Sequence, residues 1–177
     1  MIATQTKLNG AYIIEPERFE DERGFFARAW SATELAAVGA VGKFVEANLA
    51  FNHKRGTLRG LHWQAAPHGQ AKLVRCTRGS VFDVGVDLRP DSTTYGQWTS
   101  VELSAANRLM LYVPEGFAHG YLTLEDDSEV LYLVTGDYEP ASGRGARWND
   151  PAFGIRWPDV DQVIVNERDS NYPDFRL

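Results

Sequence analysis

The feature that most restricts the fold is the run from Ser80 to Leu88, where Phe82, Val84, Val86 and Leu88 alternate with Asp83, Gly85 and Asp87. A period of two places the first set on one face of a β-strand and the second on the other, so one face is core and the other polar. Pro90-Asp91-Ser92 then makes a turn. Trp98 to Leu103, Leu109 to Val113, Gly120 to Leu124 and Glu129 to Thr135 follow as further strands, at the short spacing of a sandwich or barrel. Val130 to Val134 is apolar on both faces, which suits a strand inside a closed double sheet such as a jelly roll better than one on an open edge. The 16 glycines and the 12% of aromatic residues fit the same all-β, antiparallel architecture. Helix is confined to one or two short pieces. The clearest follows Ser31, which with Glu34 reads as a capping box; Leu35, Ala36 and Ala37 are good helix formers, and Gly39 can end the turn. Pro140 to Pro158 reads as an ordered loop, too irregular for a long strand and too aromatic for a disordered linker. No repeat or linker divides residues 1–177, so a single domain is expected.

A net charge of -6 and a pI near 5.2 leave no basic face for nucleic acid or anionic lipid. No apolar run approaches the roughly 20 residues that cross a bilayer. Cys76 stands alone, so no internal disulfide forms, and no secretory leader pattern opens the chain; a reducing cytoplasm is the expected location. A small anionic ligand remains open, because a few arginines and lysines in a cleft can hold a diphosphate against the global charge.

Four histidines can be weighed one by one. His62 lies in Leu58-Arg59-Gly60-Leu61-His62-Trp63-Gln64, a strand in which the glycine allows close backbone approach. On strand context alone a hydrogen-bonded core histidine is the simpler reading. Arg59 on the same strand and Lys72, which opens the apolar strand Lys72-Leu73-Val74, bring a cation and an arginine to that imidazole and favour chemistry. His119 follows the turn-shaped Val113-Pro114-Glu115-Gly116 and reads as a loop histidine at a barrel mouth. Tyr132 is either a core aromatic or a phenol acid, and Asp169, beside Arg168, reads by itself as a solvated carboxylate. A metal site would want His-x-His with a nearby carboxylate, whereas His62 is followed by Trp63, Gln64, Ala65 and Ala66; His68, in Pro67-His68-Gly69, reads as a loop tip. Neither a metal nor a cofactor is expected.

Several longer motifs add to these residues: Asp21-Glu22-Arg23-Gly24-Phe25-Phe26, Leu58 to Gln64, Lys72, Val81-Phe82-Asp83-Val84, Val113 to Gly120, Asp137-Tyr138 and Arg147-Trp148-Asn149-Asp150-Pro151. Together they resemble the dTDP-4-dehydrorhamnose 3,5-epimerase family, in consistent order from about residue 5 to 175. The resemblance implies a cupin-like antiparallel jelly-roll barrel, a metal-independent homodimer and an isomerase of deoxysugar assembly. It implies that His62, oriented by Asp169, removes a proton beside the 4-keto group of a nucleoside-diphosphate 4-keto-6-deoxyhexose, that Lys72 supports the enolate, and that Tyr132 returns a proton from the opposite face. It also implies substrate contacts at Asn48, Arg59, His119, Tyr138 and Arg168, and at Arg23 through the partner subunit.

The chain departs from the family pattern at Arg28, where a glutamate is usual, at Glu46-Ala47-Asn48-Leu49 in place of Gln-Asp-Asn-His, at Leu133 in place of lysine and at Gly143 in place of glutamate. Arg28 reverses a charge expected near the nucleotide, so a changed nucleotide preference or inversion of a single centre is an expectation to test. A 3,4-ketoisomerase, expected to use paired histidines, and a non-catalytic sugar-nucleotide barrel are the competing readings.

Overall fold

The computed structural model describes residues 1–40 and 43–177. In chain order come β1 (Ile2–Gln5), β2 (Tyr12–Glu15), the hairpin β3 (Arg18–Asp21) and β4 (Gly24–Ala27), helix α1 (Ala32–Ala37) and the long β5 (Phe44–Asn52). Next are β6 (Leu58–Gln64), β7 (Lys72–Arg78), β8 (Ser80–Asp87), β9 (Trp98–Ser104), β10 (Met110–Val113), β11 (Phe117–Thr123) and β12 (Ser128–Thr135). A 3-10 turn at Pro140–Ser142 leads into β13 (Gly143–Gly145), and a one-turn helix, α2 (Glu167–Ser170), lies near the C-terminus.

The strands form a six-stranded sheet in the order β1-β2-β10-β7-β12-β5 and a five-stranded sheet in the order β13-β6-β11-β8-β9. Neighbours pair antiparallel, and neighbours in space are seldom neighbours in sequence, which is the connectivity of a cupin-like jelly roll. Val74, Cys76, Leu111 and Val130 of one sheet meet Val81, Leu103, Phe117 and Tyr121 of the other in a continuous core. Burying each such aliphatic side chain favours the fold by about 1.5–3 kcal/mol.

The alternation in β8 is real, but its two faces are not core and surface. Val81 points between the sheets, while Val84 and Val86 point outward and are covered by Phe153, with Trp157 and Phe175 packed alongside. The stretch expected as an ordered loop thus forms a third layer over the five-stranded sheet and contributes β13 to its edge. The polar face of β8 consequently turns into the barrel, and Asp83 and Asp87 are both fully buried.

The other strands lie close to their expected limits, except that β11 begins at Phe117 rather than at Gly120. Gly116, at φ +79, completes the turn, so the strand resumes immediately and His119 is a strand residue rather than a loop residue. Helix α1 is capped by Ser31, whose hydroxyl accepts from the Glu34 amide at 3.4 Å, and the Gly39 amide closes its end on the Ala36 carbonyl. Only half of the capping box forms, because the Glu34 carboxylate is held by the Met1 ammonium and by Arg28. Among the described residues no helix is long and apolar enough to cross a membrane.

Candidate active site

At one end of the barrel the inward positions turn from apolar to polar. On β7 the inward series runs from Cys76 through Val74 to Lys72, and register sets Val74 beside Tyr132 of β12, which in turn faces Asn48 of β5. Across the barrel His62 of β6 stands opposite His119 of β11. A cavity of about 430 Å3 opens here, lined by His62, Lys72, Tyr132, Asn48, Tyr138 and Arg168, with Glu46, Gln64, Gln70, Gly143 and Arg144 among its other walls. An adjoining lobe of about 180 Å3 shares His62, Lys72 and Tyr132 and adds Arg59, His119, Tyr121, Asn166 and Asp169. Tyr132 and His62 therefore border the same space from opposite sheets.

The imidazole of His62 is 39% exposed, open to the cavity rather than packed in the core as its strand context suggested. Asp169 is the opposite of the solvated carboxylate expected from its position: it is 1% exposed, and its Oδ1 lies 2.7 Å from His62 Nε2. Its other oxygen accepts the Gly60 amide at 3.2 Å, and Asn166 caps α2 by accepting the Asp169 amide at 2.7 Å. Burial alone would raise the Asp169 pKa, but the hydrogen bond and charge of His62, the Gly60 amide and Arg168 outweigh it and hold the carboxyl below its ordinary value. An ionised Asp169 accepts from Nε2–H, so Nδ1 is the nitrogen left to take a proton. Gly60 makes this packing feasible. A Cβ there would sit 2.6 Å from the Gly120 Cα and 2.7 Å from the His119 carbonyl oxygen, at a φ of +115.

Positive charge gathers on the same walls. Burial pushes the Lys72 ammonium down to about 8, against an opposing pull from Asp83. Arg59 is pinned by Asn52 Oδ1 at 2.8 Å and by the Phe51 carbonyl at 3.1 Å. Burial pushes the Tyr132 phenol up, reinforced by Glu46 and opposed by Arg59, so it holds its proton near neutral pH. His119 Nε2 lies 3.0 and 3.1 Å from the two oxygens of Asp83; burial drives this imidazole toward its neutral form although Asp83 favours the charged one.

Arg23 does not line the cavity of its own chain. It projects 83% exposed from the β3–β4 turn, paired with Asp21 at 2.5 Å. Arg28, expected near the nucleotide, pairs with Glu34 and lines a separate small cavity beside Met1, so its reversed charge is balanced within the chain. Leu133 borders a shallow groove with Trp30 and Phe44, whereas Gly143 borders the main cavity, where the missing side chain leaves room.

Several lining or supporting residues escape a reading of the sequence. Gln64 accepts the Glu139 amide at 2.9 Å and donates to the His68 and Asp137 carbonyls at 3.1 and 3.3 Å, which fixes the turn that carries Tyr138. The available signal is its phase, in register with His62 on one strand. Asp83 carried a similar signal, a carboxylate inside a strand with apolar neighbours. Tyr121, Asn166 and Arg144 carry no signal of their own, and Glu46 is marked in the sequence only as a departure from the family pattern. Among the described residues no three His, Cys, Asp or Glu side chains gather as a metal ion would need.

A family model for dTDP-4-dehydrorhamnose 3,5-epimerase matches residues 5–176. The chain belongs to this family. Within the dTDP-4-dehydrorhamnose 3,5-epimerase family it is 47% identical, over 97% of its length and 93% of the relative's, to the protein of that name from Methanothermobacter thermautotrophicus. The crystal structure of the dTDP-4-dehydrorhamnose 3,5-epimerase from Elizabethkingia anophelis superposes with a TM-score of 0.95 at 41% identity, covering 99% of this chain and 96% of that one. ChmJ, a 3'-monoepimerase from Streptomyces bikiniensis solved with dTDP-quinovose, superposes with a TM-score of 0.86 at 35% identity, covering 96% and 85%. Epimerases of two scopes thus share this barrel.

Proposed function

We propose that the chain inverts C3 and C5 of a dTDP-linked 4-keto-6-deoxyhexose, with His62 as base, Lys72 as the cation beside the developing oxyanion and Tyr132 as acid. One observation carries this reading: a carboxylate-backed imidazole on the five-stranded sheet and a half-buried phenol on the six-stranded sheet border one cavity. Inversion needs a base on one face of the ring and an acid on the other.

The steps follow from the side chains. Nδ1 of His62 accepts the proton from the carbon beside the ketone, and the C–H electron pair moves into the enolate. Asp169 stabilises the imidazolium through Nε2–H and fixes its orientation. The ammonium of Lys72, in a site shielded from water, stabilises the oxyanion more than it stabilises the neutral ketone, so it lowers the barrier. The Tyr132 hydroxyl then delivers a proton to the opposite face. Arg59 and Arg168 offer guanidinium groups for a diphosphate, His119 and Asn48 offer polar contacts to the sugar, and Tyr138 offers a ring for the nucleotide. The activities of the relatives support dTDP as the carrier, and the Arg28–Glu34 pair balances the reversed charge within the chain. A homodimer in which Arg23 serves the partner's cleft completes the reading.

Incubation with dTDP-4-keto-6-deoxyglucose in deuterated water, followed by NMR, tests it. Label at C3 and C5 is expected; label at one centre reduces the activity to monoepimerisation, migration of the ketone to C3 replaces it with ketoisomerisation, and binding without label leaves only a sugar-nucleotide receptor. His62→Asn should cut exchange at least about 1,000-fold while circular dichroism stays unchanged. Persistent exchange in that variant would remove His62 from the role.

A further inference from the structure

Behind the cleft lies a second imidazole–carboxylate couple that the proton transfers above leave unused. Asp83 is 0% exposed, and its hydrogen-bond partner among the described residues is His119 Nε2. Register explains the contact. Gly85 of β8 pairs with His119, and Asp83 pairs with Tyr121, so the carboxylate lies one inward step below the imidazole. A fully buried carboxylate needs compensation, and a neutral imidazole supplies a hydrogen bond but no charge.

The other charged and titratable groups around Lys72 narrow the source of that compensation. Arg59 and His62 face it from β6, Tyr121 and His119 from β11, Tyr132 from β12, Tyr138 from the turn after β12, Glu46 from β5, Arg144 from β13, and Asp169 and Arg168 from α2. Of the carboxylates, Asp169 is committed to His62 and Glu46 lies exposed at the rim. Among the described residues Asp83 is left as the buried carboxylate, bonded to His119, which lines the same lobe as Lys72, and it pulls the ammonium toward its charged form.

We propose that Asp83 is a positioning residue for the epimerisation: it holds His119 with Nε2–H turned inward and Nδ1 turned to the substrate, and it keeps the Lys72 ammonium charged beside the oxyanion. A neutral His119 held this way offers a lone pair to the cleft, so it accepts a hydrogen bond from a sugar hydroxyl rather than donating one to a phosphate. The proposal rests on the function proposed above and extends it to a residue that touches no substrate.

The test is the pH profile of deuterium exchange in the whole protein and in Asp83→Asn. In the wild type, exchange should fall above about pH 8 as Lys72 loses its proton. In Asp83→Asn the falling limb should move down by about one pH unit, so that kcat at pH 8 drops about fivefold while KM changes less than about threefold. A profile superimposable on the wild type rejects the proposal. If the variant does not fold, imidazole nitrogen shifts of the wild-type protein decide instead: a neutral His119 protonated on Nε2 is expected, and protonation on Nδ1 overturns the pairing. These shifts need no substrate, so they separate this proposal from the reaction itself. Wild-type protein that never exchanges label refutes the function, whereas normal exchange with an unmoved profile refutes only the role of Asp83.

Discussion

Lys72 illustrates at the scale of one residue how the demands of the site oppose those of the fold. Its ammonium belongs to a strand whose next inward residues are Val74 and Cys76, both fully buried. Burial lowers its pKa from 10.5 to about 8. Between these pH values the unfolded chain binds the proton that the folded chain releases, so folding gains stability as pH rises through that window. Below pH 8 both states are protonated and the full penalty applies. Lys72→Met should therefore raise Tm at pH 7 by about 2–4 °C, the shift produced by ~1 kcal/mol in a chain of this size. The gain should shrink as pH rises past 8 toward 10.5. The same variant should lose at least about 100-fold in kcat for want of the oxyanion's partner. Calorimetry at pH 7 and 10 checks the first part, and a melting point lowered at pH 7 would contradict it.

The end of β8 shows a buried charge used the other way, for structure. Asp87 is fully buried and accepts from the Arg89 amide at 3.1 Å, from Arg89 Nε at 2.8 Å and from the hydroxyls of Ser92 and Thr94, each at 2.6 Å. Burial alone would raise its pKa, but these bonds hold it at about 2. A carboxyl depressed on folding stabilises the protein above its ordinary value of 3.8 and loses that contribution as pH falls toward 2. Asp87→Ala should cost about 3 kcal/mol in urea unfolding at pH 7, with the gap to the wild type narrowing below pH 4. A gap independent of pH would mean that packing, not the ionised carboxylate, clasps this turn. The same strand marks the boundary of what the sequence makes legible. Alternation located β8 and the turn after it. Which face was inside could not be read, because that depends on a third layer supplied by Phe153, Trp157 and Phe175, far along the chain. For the same reason motif similarity drew attention to Asp169 while local composition did not. A one-turn helix carries no periodic signal, yet it sets that carboxylate 2.7 Å from an imidazole on a distant strand. Tyr132 and Lys72 were more readily found, because polar groups in apolar strands stand out from their neighbours.

At the scale of the molecule, several apolar side chains stand exposed among the described residues. Along the edge strand β5 the inward residues Asn48 and Asn52 alternate with outward Leu49 and Phe51, and Leu49 is 66% exposed. Phe26, on the hairpin that carries Arg23, is 71% exposed. Apolar side chains on a sheet face and on a projecting arm suit a two-fold interface, in which each chain lends the same patch to the other. The proposed dimer would let Arg23 serve the partner's cleft, which a mixing experiment can read. Arg23→Ala should raise KM at least about tenfold through loss of a bidentate phosphate contact. His62→Asn should abolish turnover. In a mixed dimer whose sites combine residues from both chains, one site carries both defects and the other carries neither. Refolding the two variants together at equal concentration should thus give about a quarter of the sites a wild-type KM, since half the dimers are mixed and each holds one intact site, beside a second quarter, in the Arg23→Ala homodimers, that turn over only at the raised KM. If every cleft is complete within its own chain, no site in the mixture is intact, and KM stays at the value of Arg23→Ala however long the chains are exchanged.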